Sequence, residues 1–185
     1  MAYTFYRGDS RTPAEIKAAN GFSARVPLTI AQARDLLKRC NGLAPTAKVV
    51  LPAQAKGLQD ALDSETKYKL LDLVREIKRE KSQSTVHIST DLSEDCGGYS
   101  SGHIYRIEFE KLNSKSKSGL AEEPDSVECT SHFDTYVVME TNSTSTAQTI
   151  ALSSKGKEVS FLTSIPYENI SAYKAPGGRE WKDMP

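Results

Sequence analysis

The first chemically suggestive stretch of the chain is a short apolar run that ends in charge. Residues 3–11 read YTFYRGDSR, so Arg7, Asp9 and Arg11 follow directly on an aromatic-rich segment that predicts a strand. Burying a guanidinium without a partner is costly. Arg7 must therefore either pair with a carboxylate inside the protein or face a ligand that carries negative charge.

Two later stretches place hydroxyls and a carboxylate on predicted strands. VHISTDLS, residues 86–93, predicts a strand that ends in Ser89 and Thr90, and KGKEVSFLTSIP, residues 155–166, places Glu158 just after a Gly-Lys turn. Taken alone, each has an ordinary explanation, namely turn hydroxyls in the first case and a solvated glutamate in the second. The combination with Arg7, in this order along the chain, is much more specific than any one stretch.

The elements that must position these residues divide into an early helical part and a later β-rich part. Thr12-Pro13-Ala14-Glu15 is a typical helix start, and apolar periodicity predicts three helices, in residues 13–21, 29–42 and 63–82. Runs typical of strands follow, at residues 85–90, 102–110, 135–141, 148–154, 158–165 and 168–174. Helices before strands favour an α+β domain with mostly antiparallel sheet.

Length and composition limit the classes of protein that fit. The 185 residues suffice for one domain, which we assign to residues 1–174, and APGGREWKDMP, residues 175–185, is typical of a mobile tail. Lys and Arg number 24 and Asp and Glu number 24, so net charge gives no general attraction to nucleic acid or membrane. No membrane-length apolar run and no signal peptide is visible.

The cysteine and histidine spacings do not predict a metal site. Three cysteines are widely spaced without a C-x-x-C pair, and the histidines lack the spacing of metal ligands; these residues are Cys40, Cys96, Cys129, His87, His103 and His132. The pattern favours reduced, structural thiols in a reducing compartment.

Together the three stretches resemble the cholera-toxin and pertussis-toxin group of mono-ADP-ribosyltransferases. YRGDSRTPAEI is similar to the opening of the catalytic chains of this group, ISTDLS to their middle Ser-Thr-Ser strand, and EVSFLTSIPYENI to the segment around their catalytic glutamate. The resemblance implies the ADP-ribosyltransferase fold, in which a split antiparallel β-core forms an NAD cleft beside N-terminal helices.

The resemblance also implies roles for individual residues, with NAD as substrate and no metal. Glu158, Arg7 and Ser89 are the implied catalytic residues, and the implied NAD-binding residues are Arg7, Gly8, Ser89 and Thr90. Cleavage of the nicotinamide–ribose bond passes through an oxocarbenium-like state, which a nearby carboxylate such as Glu158 stabilises. Ser89 would position this carboxylate, Thr90 would support the strand, and the backbone of Gly8 would hold the nicotinamide amide.

The implied function is that of a toxin or effector that transfers ADP-ribose to a macromolecule, most often a protein, in the cytosol of a recipient cell. Such a domain is secreted or delivered, alone or as part of a larger parent toxin chain. A nucleic-acid acceptor stays open.

Two departures from the family pattern keep the acceptor open. Asp91 stands where the middle motif usually ends in Ser, and Gly156 stands two residues before Glu158, where the family often has Glu or Gln. An NAD glycohydrolase that uses water and a catalytically silent binding module are the alternatives. The E-x-E pair Glu108–Glu110 lacks the family's continuation, so we interpret it as a solvated strand edge.

Overall fold

The computed structural model describes residues 3–40, 50–63, 85–115, 121–122, 136–140, 148–153 and 157–185. In these ranges lie the helices α1 Pro13–Ala18, α2 Ile30–Cys40 and α3 Lys56–Asp63, and the 3-10 helices Ala53–Ala55 and Tyr167–Asn169. The strands are β1 Tyr3–Asp9, β2 Gly21–Phe22, β3 Ile88–Asp91, β4 His103–Phe109, β5 Lys111–Lys115, β6 Ala121–Glu122, β7 Tyr136–Glu140, β8 Gln148–Ser153, β9 Glu158–Phe161, β10 Ile165–Pro166, β11 Ile170–Lys174 and β12 Lys182–Asp183. The helix predicted at residues 63–82 falls outside the described residues beyond Asp63, as do Gly156, Cys129 and His132.

A ten-stranded sheet organises the described part of the chain. Its strand order is β12-β11-β4-β1-β3-β9-β8-β7-β5-β6, and β2 pairs with β10 in a separate two-stranded sheet. Every pair of neighbours is antiparallel. The predicted α+β class with antiparallel sheet is therefore confirmed.

Among the described residues, the large sheet has its fewest cross-strand residue pairs between β1 and β3. Strand β1 pairs with β4 over seven residue pairs from Tyr3↔Phe109 to Asp9↔His103, and β3 pairs with β9 over four. Between β1 and β3, in contrast, Tyr6↔Asp91 is the single register pair in the described structure. Next to this pair, the side chain of Arg7 rather than the backbone of β1 makes the contact with β3, through the carbonyl of Ser89.

Aromatic packing fixes β1 on both sides of this join. The Phe5 ring lies edge-on to Phe109 and Phe161, with centroids 6.1 and 5.4 Å away, and all three side chains are fully buried. Because side chains alternate along a strand, burying Phe5 directs Arg7 and Asp9 along the same face, toward the strand end. The guanidinium of Arg7 lies over the ring of Phe22, 5.3 Å from its centroid.

The predicted helix start after β1 is present. Thr12 caps α1 in a capping box with Glu15, Pro13 occupies the first turn, and the helix buries Ile16. The helix ends at Ala18, earlier than the predicted stop at Gly21, which instead opens β2. Asn20 and Gly21 have φ of 58° and 112°, and a Cβ on Gly21 would lie 2.1 Å from the carbonyl oxygen of Ile165, so this tight crossing requires glycine.

The tail, residues 175–185, lies against the sheet, although its composition predicted mobility. Strand β12 pairs with β11 through Ala172↔Asp183 and Tyr173↔Lys182, and Trp181 packs on Tyr6 with ring centroids 5.8 Å apart. The sequence pattern missed this placement because two paired residues and one aromatic anchor carry no periodicity.

The helices of the described ranges are all too short or too polar to cross a lipid bilayer. In the same part of the chain, no group of three or more histidine, cysteine, aspartate and glutamate side chains is arranged to hold a metal ion.

Candidate functional site

Arg7 connects the two parts of the sheet at the end of β1. Its Nη1 donates to the main-chain carbonyl oxygen of Ser89 at 2.8 Å, and its Nη2 lies 3.3 Å from Oδ2 of Asp9. The side chain is 24% exposed, so the guanidinium is partly buried but reaches a surface. Burial lowers the pKa of Arg7, while the Asp9 carboxylate opposes the shift. The sequence left two possibilities for Arg7, a carboxylate partner inside the protein or a site for a negatively charged ligand. In the structure Arg7 pairs with the Asp9 carboxylate and also lines a cleft.

Asp9 holds a second arginine beside the first. Its carboxylate accepts hydrogen bonds from the backbone amide, Nε and Nη2 of Arg11, at 3.0, 2.9 and 2.8 Å. Burial alone would raise the pKa of the Asp9 carboxyl, but the hydrogen bonds from Arg11 and the charges of both arginines outweigh it, so the pKa lies below its ordinary value. Asp9 thus fixes two guanidinium groups close together.

Ser89 and Glu158 form the other half of the site. Asp91 on β3 faces Glu158 on β9 in the strand register, and Oγ of Ser89 donates to Oε1 of Glu158 at 2.8 Å. Both side chains lie on the face opposite to the core residues Ile88 and Val159. The predicted hydroxyl–carboxylate contact is therefore present in the structure.

Ser89 joins the three predicted catalytic residues into one chain of hydrogen bonds. Its side chain contacts Glu158 and its main-chain carbonyl accepts from Arg7, so one residue fixes both partners. This arrangement brings together residues that are 151 positions apart in the sequence, because β3 lies between β1 and β9.

Thr90 does not share this position. Its side chain is 2% exposed, and Oγ1 donates to the main-chain oxygen of Val159 at 2.8 Å. The hydroxyl therefore strengthens the pairing of β3 with β9 and does not reach the cleft. The prediction that Thr90 binds NAD is at odds with this geometry, because the side chain is buried and its hydroxyl already donates to Val159.

Gly8 lies on the same face as Ser89, under an aromatic ring that the sequence did not indicate. A Cβ built on Gly8 would lie 2.4 Å from Cδ1 of Tyr99, a residue of the loop between β3 and β4. The close approach for which Gly8 was predicted is thus made by Tyr99 in this structure, and the backbone of Gly8 also lines the neighbouring cleft.

An arginine-rich cleft of about 580 Å³ opens at the end of β1. Its lining consists of Arg7, Gly8, Asp9, Ser10, Arg11, Ser23, Arg25 and Tyr99. Three guanidinium groups against one carboxylate make the lining positive, and Arg25 makes no hydrogen bond or ion pair within the described residues. The cleft therefore has the chemistry of an anion site, with phosphate as a well-matched ligand.

Sequence reasoning missed Tyr99, Ser23 and Arg25. All three lie in loops that have no periodicity, and they join the cleft only through the crossing of β2 and the path of the loop at residues 92–102. Asp9 and Arg11 were visible beside Arg7, and the D-x-R spacing that lets Asp9 accept from the backbone of Arg11 is the one signal that could have added them.

The departure at Asp91 has a structural role. Its Oδ1 accepts from the backbone amide of Ser93 at 2.6 Å and also from the Ser93 hydroxyl, so it turns the chain at the end of β3. This turn is stabilised by a short side chain that carries a hydrogen-bond acceptor.

The E-x-E pair lies apart from this chemistry, whereas Cys96 lies beside β1. Glu108 lies 3.9 Å from Arg106 on a half-exposed strand position, with no contact to Ser89. Cys96 is a free thiol, and burial raises its pKa to about 11, so it is protonated at neutral pH. The Cys96 sulfur accepts a hydrogen bond from the backbone amide of Gly8 and lies close enough to Arg7 for the two groups to influence each other's pKa, so Cys96 belongs to the surroundings of the site.

Comparison with known proteins adds no family to this description. No protein-family model matches the chain, and no curated protein matches its sequence significantly.

Proposed function

We propose that the chain is an NAD-dependent mono-ADP-ribosyltransferase domain that cleaves the nicotinamide–ribose bond and transfers ADP-ribose to a macromolecular acceptor. The observation that carries the proposal is the hydrogen-bonded chain Glu158–Ser89–Arg7 beside a positive cleft. These are the three residues that the motif resemblance implies as catalytic.

The cleft supports a dinucleotide as the substrate. NAD carries a diphosphate between its two ribosides, and three arginines at the end of β1 offer charge-assisted hydrogen bonds to such a group. Asp9 is the carboxylate partner of Arg7 and Arg11 and neutralises only part of the charge of the three arginines. Arg7 lines this cleft and also bonds to the main-chain carbonyl of Ser89, so the cleft adjoins the residue that holds Glu158.

Glu158 supplies the chemical step in this proposal. As the bond between nicotinamide and ribose C1′ lengthens, nicotinamide leaves with the bonding electron pair and positive charge develops on the ribose. The carboxylate of Glu158, held by the Ser89 hydroxyl, stabilises that charge. The acceptor nucleophile then bonds to C1′ and releases its proton.

The acceptor is proposed as a protein in the cytosol of a recipient cell, reached by secretion or delivery of this domain alone or within a larger toxin chain. The free, protonated thiol of Cys96 is compatible with a reducing compartment. One sequence feature favours a second activity, NAD hydrolysis, because Gly156 provides no second carboxylate to receive or orient an acceptor.

Incubation with NAD labelled in its adenylate moiety, with and without a cell lysate, tests the proposal. Label on a macromolecule supports transfer, free ADP-ribose alone supports the glycohydrolase, and no turnover supports a silent binding module. Glu158→Gln should lower turnover at least about a hundred-fold with little change in NAD affinity, because the carboxylate acts mainly on charge that develops in the transition state.

The matched control for this variant is Glu108→Gln, which removes a carboxylate from the E-x-E pair. We expect its turnover to stay within about two-fold of the unmodified chain. Equal losses in the two variants, or a Glu158→Gln enzyme of nearly full activity, would contradict the assignment of Glu158.

A further inference from the structure

Trp181, the only tryptophan of the chain, holds the tail against the loop that joins β3 to β4. Trp181 Nε1 donates to Oε1 of Glu94 at 2.7 Å. The indole itself is fixed by Tyr6, by the guanidinium of Arg106 at 5.2 Å from the ring centroid and by the Lys174 ammonium at 4.7 Å.

Glu94 belongs to the loop that forms one wall of the arginine-rich cleft. Its Oε1 also lies 3.6 Å from Nζ of Lys174, a side chain that is only 11% exposed. Glu94 therefore accepts a hydrogen bond from Trp181 and forms an ion pair with Lys174. Five residues later the same loop places Tyr99 over Gly8.

The contacts of Glu94 with Trp181 and Lys174 connect the loop to the tail across an opening. A second cleft, of about 430 Å³, separates the two segments and is lined by loop residues 94–102 and by residues 174–179. Tyr99 borders both this cleft and the arginine-rich one. The ring is therefore a partition between two open spaces, and its position depends on how the loop is anchored.

The loop has its own turn but few supports. Asp95 accepts from the amides of Gly98 and Tyr99 through its carbonyl at 3.0 Å, and from the amide of Gly97 through Oδ1 at 3.2 Å. These bonds close the turn locally, and the tie to the sheet within the turn is the hydrogen bond that the Cys96 sulfur accepts from the backbone amide of Gly8. Glycines with positive φ at 97 and 98 leave the turn without side chains that could pack.

From these contacts we propose that Trp181 and Glu94 are positioning residues for the cleft: their hydrogen bond, reinforced by Lys174, fixes the loop at residues 92–102 and so holds Tyr99 as a preformed wall for NAD. The proposal rests on the proposed function for the identity of the ligand. Its physical basis is preorganisation, since a wall that is already ordered does not have to be ordered when the ligand binds. Loosening the loop should therefore weaken binding and leave the chemical step at Glu158 unchanged.

Glu94→Ala tests this proposal, because the residue is exposed and its removal takes away both contacts. Amide hydrogen exchange at residues 97–99 is measured without NAD, and we expect it to accelerate about ten-fold or more. The KM for NAD should rise about five- to ten-fold with kcat within about two-fold of the unmodified chain. Trp181→Phe keeps a ring on Tyr6 but removes the N–H donor. It should accelerate the exchange and raise the KM for NAD, each by a smaller factor than Glu94→Ala.

Two controls separate positioning from general destabilisation. Glu94→Gln keeps an oxygen acceptor for Trp181, so it should restore most of the protection of residues 97–99. Glu180→Ala removes an exposed carboxylate next to Trp181 and should change neither quantity.

The readouts also separate this proposal from the proposed function. Unchanged exchange in Glu94→Ala overturns the anchoring of the loop, and faster exchange with an unchanged or lower KM overturns the role of Tyr99 as a binding wall. If the unmodified chain neither binds nor cleaves NAD, the proposed function and the NAD part of this inference both fail, while hydrogen exchange still decides the anchoring.

Discussion

At the scale of single residues, Arg7 acts through the shape of its side chain as much as through its charge. The planar guanidinium bonds to the Ser89 carbonyl with one nitrogen and to Asp9 with another. A lysine ammonium is a point charge on a flexible stem and does not reproduce this fork. The geometry of the strand junction thus depends on a group that no other side chain can supply.

Arg7→Lys should therefore lower kcat/KM for NAD cleavage about ten-fold or more, although the net charge is unchanged. Steady-state kinetics on the purified variant, with thermal unfolding to confirm folding, measure the effect. The exposed tail residue Arg179 provides the control, since Arg179→Lys should leave kcat/KM within about two-fold. Normal kinetics in Arg7→Lys would place Arg7 outside the site.

At the scale of elements, the contact between β1 and the loop at residues 92–102 requires glycine. Gly8→Ala should lower the free energy of unfolding by about 1–3 kcal/mol, because the added methyl overlaps the ring of Tyr99 and forces the loop away from β1. Denaturant unfolding measures this loss. In a Tyr99→Ala background most of the loss should disappear, and a full loss in that background would mean that something other than the ring opposes the methyl group.

The sequence predicted the elements better than their contacts. The six β-rich runs correspond to strands because alternation is local, and α1 was visible from its capping box for the same reason. The single Tyr6↔Asp91 pair and the placement of Tyr99 on Gly8 join residues 85 to 91 positions apart, and no local pattern encodes such contacts. The chain Glu158–Ser89–Arg7 was anticipated only through motif resemblance. Thr90 shows the limit of that method, because a motif does not state which hydroxyl is buried.

At the scale of the whole molecule, the Asp9 carboxylate links folding to pH. Its pKa is lower in the folded chain than in the unfolded one, so its contribution to stability is present above its unfolded pKa and is lost as the pH falls through its folded pKa. Asp9→Asn should therefore lower the free energy of unfolding by about 1–3 kcal/mol at pH 7. Once the pH falls below the folded pKa of Asp9, both states bind the proton and the difference should largely vanish.

Denaturant unfolding of both chains between pH 2 and 7 measures this difference. The conservative exchange Asp183→Asn, at an exposed position of the tail, is the control and should show little dependence on pH. A difference for Asp9→Asn that persists unchanged at low pH would show that the side chain acts by packing and not by its charge.

Ser89 makes its two contacts with different parts of the residue, and this has a consequence for how such a protein evolves. The hydroxyl that holds Glu158 is lost by one substitution to alanine, whereas the carbonyl that holds Arg7 belongs to the backbone and survives any side chain. Under the proposed function, a gene duplicate that acquires alanine at this position would lose catalysis and keep the anion cleft. A single substitution would then convert an enzyme into a protein that only binds a nucleotide. The reverse change would also need Glu158 and its hydroxyl partner in place.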